Sequence, residues 1–135
     1  MPHSYTKIWI HAIWATKERA PILQFNIEHK IYQFISDQLQ ELGCQAQIIN
    51  GMPDHIHCLF ELNRQKSVSD VLKQIKGSSA HYVNQHQLIA DRFAWQTGYA
   101  AFSISESGVD SVLQYIQNQK KHHEKQSFQK EYNQS

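Results

Sequence analysis

The stretch Asn50–Phe60, NGMPDHIHCLF, decides how this chain folds. NGMPD carries the Gly, Pro, Asn and Asp of a turn. HIHCLFEL after it reads as a strand, and CQAQIIN before it reads as another, so the two predict a hairpin. Residues two apart on a strand point to the same side. Ile56, Cys58 and Phe60 therefore share one face, which is the core face by its apolarity. His55, His57 and Leu59 share the face turned away from that core.

Working outward, Thr6 to Trp14 alternates with period two. Ile8, Ile10, Ala12 and Trp14 fall on one side, and Lys7, Trp9, His11 and Ile13 on the other, a half-buried strand. The polar loop TKERAPIL follows. Asn26 to Gly43 reads as a helix with Ile27, Ile31, Phe34, Ile35, Leu39 and Leu42 on its apolar stripe. Asn26 is its expected N-cap and Gly43 its expected C-terminal glycine. Ser67 to about Gln87 predicts a second helix, with a weak point at Gly77-Ser78-Ser79. A strand is expected near Tyr99 to Ser105. A last helix is expected over Gly108 to His123, with Val109, Val112, Leu113 and Ile116 as its buried stripe. The order is the β-α-β-β-α-β ferredoxin-like pattern plus one C-terminal helix. The fold class is thus α+β, an antiparallel sheet with helices on one face and the other face left for a site.

The chain has 135 residues, enough for one domain with a real core and too few for two. A single domain over 1–135 is expected, with 124–135 a frayed polar tail. Hydrophobic content of 41% and charged content of 19% are ordinary for a globular protein. A net charge of +1 neither favours nor excludes nucleic acid, which would need a local basic patch. Cys44 and Cys58 fit no zinc spacing and make no disulfide framework, so they read as free thiols. With no membrane-spanning run and no signal pattern, a soluble cytoplasmic protein is expected.

Two imidazoles on one strand face can converge on one ion, because neutral imidazole is a common metal ligand. They do not complete a site, and His-x-His also occurs by chance on ordinary strands. YIQNQ, Tyr115 to Gln119, offers a second half. Residues four apart are neighbours on a helix surface. A Gln carbonyl oxygen suits a hard divalent ion. A Tyr hydroxyl can attack phosphorus. Alternatively, Tyr115 is an amphipathic aromatic at the edge of a helix interface.

Together these residues resemble a known family, the single-tyrosine HUH transposases of bacterial insertion sequences, including relatives associated with repetitive extragenic palindromes. The resemblance rests on His55-Ile56-His57 within MPDHIHCLF and on Tyr115 and Gln119 within YIQNQ. ATKERAPIL, LKQIKGSSAHYVN and FAWQTGYAAFSIS also look like family sequence, in family order. The resemblance implies an enzyme that cuts and rejoins single-stranded DNA at hairpin-bearing element ends. It implies Tyr115 as nucleophile, forming a 5′-phosphotyrosine link, and His55, His57 and Gln119 as ligands of Mg2+ or Mn2+. It implies a homodimer in a bacterial or archaeal cytoplasm, in which Tyr115 acts in its own chain or in trans. Arg19, Lys76, Ser78 and Lys120 are the residues expected to meet DNA phosphates. His11 lies on the non-core face of the first strand, but no family motif covers it, so it is not placed among the ligands.

Two other readings compete. One is a non-catalytic or domesticated single-stranded nucleic-acid module whose sheet stacks bases on aromatics, for which Trp95 and Tyr99 are candidates. Against it, the chain has no obvious aromatic-rich strand pair. The other is a metal-dependent or two-histidine hydrolase of small phosphoesters, which needs a second His-x-His/Thr/Ser motif or a third aligned histidine, and the sequence shows neither partner.

Overall fold

The structure is a computed structural model and describes residues 4–122. His123 and the expected tail 124–135 lie outside the described residues. Four strands, β1 (Trp9–Ala15), β2 (Gln45–Met52), β3 (His55–Glu61) and β4 (Ala100–Ile104), form one sheet in the order β2-β3-β1-β4. Every neighbouring pair is antiparallel. With α1 (Phe25–Glu41) and α2 (Val68–Gln85) as the crossovers, this is the expected ferredoxin-like arrangement.

Alternation decides which side chains fill which layer. Ile10, Ala12 and Trp14 of β1 and Ile56, Cys58 and Phe60 of β3 pack against Ile31, Ile35 and Leu39 of α1 and Val71, Leu72 and Ile75 of α2. Cys44 and Cys58 are free and buried in this layer, and burial pushes the Cys58 thiol up, so it stays protonated.

The other face is not left open. α3 (Val109–Gln117) and the short α4 (Gln119–His122) cover it. Trp9, Leu59 and Ile116 form a second, smaller apolar cluster there, with Val109, Val112 and Leu113 packed against it. The Trp9 indole N–H donates to Glu106 Oε2 at 3.2 Å and pins the turn that leads into α3.

The helix ends show what local chemistry decided. Gln24, not Asn26, is the N-cap of α1, and it makes no side-chain cap bond. At the other end Gly43 does stand past the last turn, with φ +76°. Gly43 N–H donates to Gln40 O and Cys44 N–H to Leu39 O, the paired bonds of a Schellman ending. In α2, Ser67 Oγ accepts from Asp70 N–H as expected for a cap.

The weak point in α2 does not break the helix. Ser79 Oγ donates to Lys76 O and accepts the Trp95 indole N–H at 2.9 Å, so a loop aromatic braces this turn. Gly77 sits on the exposed side, where an added Cβ meets nothing within 4 Å. Gly77→Ala is expected to stabilise the protein by about 1 kcal/mol, the glycine cost within a helix, read as a higher midpoint in a urea melt.

The hairpin turn is tighter than expected. β2 runs to Met52, leaving Pro53 and Asp54 as the turn between Met52 and its register partner His55. Gly51 pairs with Ile56, and a Cβ there would collide with the His55 carbonyl and the Ile56 Cα. Glycine at 51 is thus demanded by close backbone approach.

Candidate active site

The register of the sheet assembles the site. Ile13 pairs with His57, and His11 with Leu59. His11, His57 and His55 consequently stand on one face, beneath α3. All three are buried, at 5%, 1% and 0% exposure. The histidine face is therefore a second interior, not a wet surface, because the last helix folds back over it.

Each ligand candidate is held by a partner at its Nδ1. His55 Nδ1 lies 2.7 Å from Asp54 Oδ1. His57 Nδ1 lies 2.9 Å from His11 Nε2, with the rings stacked at 5.1 Å. A carboxylate accepts, so His55 carries its proton on Nδ1 and offers Nε2 as a lone pair. For His57 Nε2 to ligate, His57 must likewise donate from Nδ1, which fixes His11 as the acceptor at Nε2. Both Nε2 atoms are buried, as is Oε1 of Gln119. Orientation of a metal-binding imidazole through its other nitrogen is the usual second layer of such sites.

Asp54 is itself braced. Arg19 Nη2 lies 3.6 Å from Asp54 Oδ2. Burial alone would raise the Asp54 carboxyl, but the hydrogen bond from His55 and the nearby Arg19 guanidinium hold it below the usual value. Arg19 is presented by an unusual turn. Glu18 and Arg19 both have φ near +56°, a left-handed conformation that costs non-glycine residues roughly 1–2 kcal/mol each. Glu18 N–H donates to Gln96 Oε1 and Thr16 Oγ1 donates to Ala20 O, which hold the turn in place.

Tyr115 and Gln119 come from the covering layer. The Tyr115 ring stands edge-on to His57 at 5.7 Å and to His11 at 6.3 Å, within the same chain. Gln119 is fully buried, and its amide Nε2 donates to Tyr115 O at 3.5 Å. The two are not on one continuous helix as expected. Asn118, with φ −95° and ψ 16°, ends α3, and Gln119 starts α4. Asn50 Nδ2 donates to Ile116 O at 3.0 Å and to Gln117 O at 3.3 Å. Those carbonyls would otherwise serve the next turn of helix, so a side chain from β2 ends α3.

The structure thus stands Tyr115 and His55 each beside His57, and buries Gln119 one turn beyond Tyr115. Of the residues expected to meet DNA, Arg19 borders the site beside Asp54. Lys76 and Ser78 are on α2, across the sheet. Lys76 Nζ donates to Gln96 O and Gly98 O, and Ser78 Oγ to Ile75 O. The Lys120 ammonium is held by Glu28 Oε2, Asn50 Oδ1 and Gly51 O. Trp95 is buried against Trp14 and Phe93, whereas Tyr99 is 43% exposed. His11 and Asp54 stand outside the motif residues. Alternation along β1 was the signal for His11, and adjacency to His55 for Asp54.

Among the described residues no cluster of three or more His, Cys, Asp or Glu side chains could hold a metal. Any ion here would rest on the two imidazoles and a neutral oxygen, and the buried Gln119 Oε1 is of that kind. Imidazole suits borderline divalent ions and a carbonyl oxygen suits harder ones, so the set is a mixed one.

The family model described as "Transposase IS200 like" matches residues 4–119. The chain belongs to this family, the single-tyrosine HUH transposases anticipated from the two motifs. It is 27% identical over 114 residues to the ISDra2 transposase TnpA of Deinococcus radiodurans, covering 81% of each chain. A crystal structure assigned to a transposase of D. radiodurans R1 superposes with TM-score 0.70 at 26% identity, over 88% of this chain and 96% of that one. A tyrosine transposase associated with REP elements, solved with a REP hairpin, shares the fold with TM-score 0.65 at 16% identity, over 91% and 73% of the two chains. Among the described residues no helix is long and apolar enough to cross a membrane.

Proposed function

We propose that this transposase cleaves and rejoins single-stranded DNA at hairpin-bearing ends, with Tyr115 as nucleophile. The observation that carries the reading is the Tyr115 ring 5.7 Å from His57, whose Nδ1 lies 2.9 Å from His11 Nε2. His55, His57 and Gln119 would hold Mg2+ or Mn2+. A divalent ion bound there supplies Lewis-acid polarisation of the scissile phosphate. The Tyr115 hydroxyl loses its proton and attacks phosphorus. An Oη–P bond forms as the bond from phosphorus to the 3′ oxygen breaks. The 3′ oxygen leaves and takes up a proton, and the 5′ phosphate stays on the tyrosine. Attack by a second 3′ hydroxyl reverses the exchange, so rejoining needs no external energy source.

Arg19, next to Asp54 and 38% exposed at its side chain, is the basic residue best placed to meet a phosphate entering the site. Tyr115 and His57 meet within one chain, as a site completed in cis requires. A homodimer that exchanges α3 between protomers would build the same contacts in trans. Mixing Tyr115→Phe with His57→Ala protein separates the two, since recovered activity requires exchange. The DNA hairpin in the REP-associated relative supports the choice of substrate.

The test is a covalent adduct. Labelled single-stranded hairpin DNA, protein and Mn2+ are combined and run on a denaturing gel, with an adduct expected. DNA binding without any adduct, across varied ends and both metals, would point to the non-catalytic module.

A further inference from the structure

We infer that Lys120 and Asn50 form a clamp that positions Gln119 in the site. This rests on the reading of His55, His57 and Gln119 as a divalent-ion site. The clamp is built around the break at Asn118. Asn50 uses both ends of its amide, one on each side of that break. Its Nδ2 donates to the last carbonyls of α3, Ile116 O and Gln117 O. Its Oδ1 accepts from Lys120 of α4 at 3.1 Å. The partners fix the orientation of the amide, because carbonyls need its NH2 and an ammonium needs its oxygen.

Lys120 completes the attachment. An ammonium has three N–H donors, and three acceptors surround this one: Gly51 O at 2.6 Å, Asn50 Oδ1 at 3.1 Å and Glu28 Oε2 at 3.2 Å. They come from two elements, β2 and α1. Glu28, a buried residue, is in turn held by the Tyr32 hydroxyl at 3.2 Å from its Oε2. Charge-assisted bonds of this kind are stronger and more directional than neutral ones.

What the clamp holds is the residue between its two halves. Asn50 is the register partner of His57. Tying Lys120 to Asn50 therefore sets Gln119 over the histidine end of the hairpin, where it is fully buried. Without the break, a continuous helix would turn the next residues along the α3 axis. Lys120 and Asn50 are thus positioning residues that act through Gln119.

The experiment measures Mn2+ affinity of the full chain by isothermal titration calorimetry, with folding checked by circular dichroism. Lys120→Met keeps the stem and removes the donors. It is expected to weaken Mn2+ binding about 10-fold, the low end for outer-layer partners of a metal site. Gln119→Ala is expected to weaken it at least as much. The double variant should be little worse than Gln119→Ala alone, since both changes remove one interaction. Asn50→Asp, which keeps the oxygen for Lys120 but loses the donors to α3, tests the other half and should weaken binding in the same direction. If Lys120→Met does not fold, Lys120→Leu carries the same expectations. Unchanged affinity in the Lys120 variant, or full additivity with Gln119→Ala, overturns the clamp. Failure of the unmodified protein to bind Mn2+ would instead overturn the metal reading beneath it.

Discussion

Tyr115→Phe protein is expected to form no detectable covalent adduct with hairpin DNA while folding and binding Mn2+ like the parent. The substitution removes one oxygen and leaves the ring. The edge contacts to His57 at 5.7 Å and His11 at 6.3 Å involve the ring and persist. So does its packing beside Trp9, Leu59 and Ile116. Stability should change by less than about 1 kcal/mol. Adduct formation should fall by on the order of 10^3 or more, because no other group supplies the nucleophile. Loss of a nucleophile and loss of a fold are thus separable by one gel and one melting curve. An adduct that survives the substitution removes Tyr115 from the reaction.

His57→Ala is expected to strike stability and metal binding together. The side chain is 1% exposed and stacked on His11 at 5.1 Å. Truncation leaves a cavity and deletes the 2.9 Å bond to His11. The combined cost should be about 2–4 kcal/mol. Added Mn2+ should raise the melting temperature of the parent through ligand linkage and leave that of His57→Ala almost unmoved. His11→Ala gives the finer result. It removes no ligand, so Mn2+ binding should weaken by roughly 10-fold and not vanish. Equal loss in both variants would make His11 a ligand in its own right.

Much of this was legible because period two is an unambiguous signal. Ile56, Cys58 and Phe60 against His55, His57 and Leu59 sorted the hairpin into its two faces without any tertiary information. Placing Trp9 and His11 opposite Ile10 and Ala12 did the same for β1. The helices were found from their stripes, and Gly43 from the left-handed ending it permits. Three things were not legible, and all depend on contacts distant in sequence. The break at Asn118 is set by Asn50, which only the sheet brings near. The integrity of α2 at Gly77-Ser78-Ser79 depends on Trp95 reaching Ser79. The burial of the histidine face follows from α3 folding over the sheet, which alternation along a strand cannot report. Lys120 shows the same limit, since a lysine that follows a motif residue carries no mark of the Glu28 and Asn50 it will meet.

The two apolar layers are unequal, and that inequality sets an order of opening. The layer under α1 and α2 knits all four strands to two long helices. The layer under α3 rests on Trp9, Leu59 and Ile116 with partly buried neighbours. Protection from amide hydrogen exchange scales with the free energy needed to expose a segment. Amides of α3 and α4 should therefore exchange well before those of β1 and β3, as read by mass spectrometry of peptides covering 109–122, 9–15 and 55–61. The tyrosine and the glutamine would then form one cooperative unit and the histidines another. The site could come apart and re-form on a timescale of its own, with the sheet intact throughout.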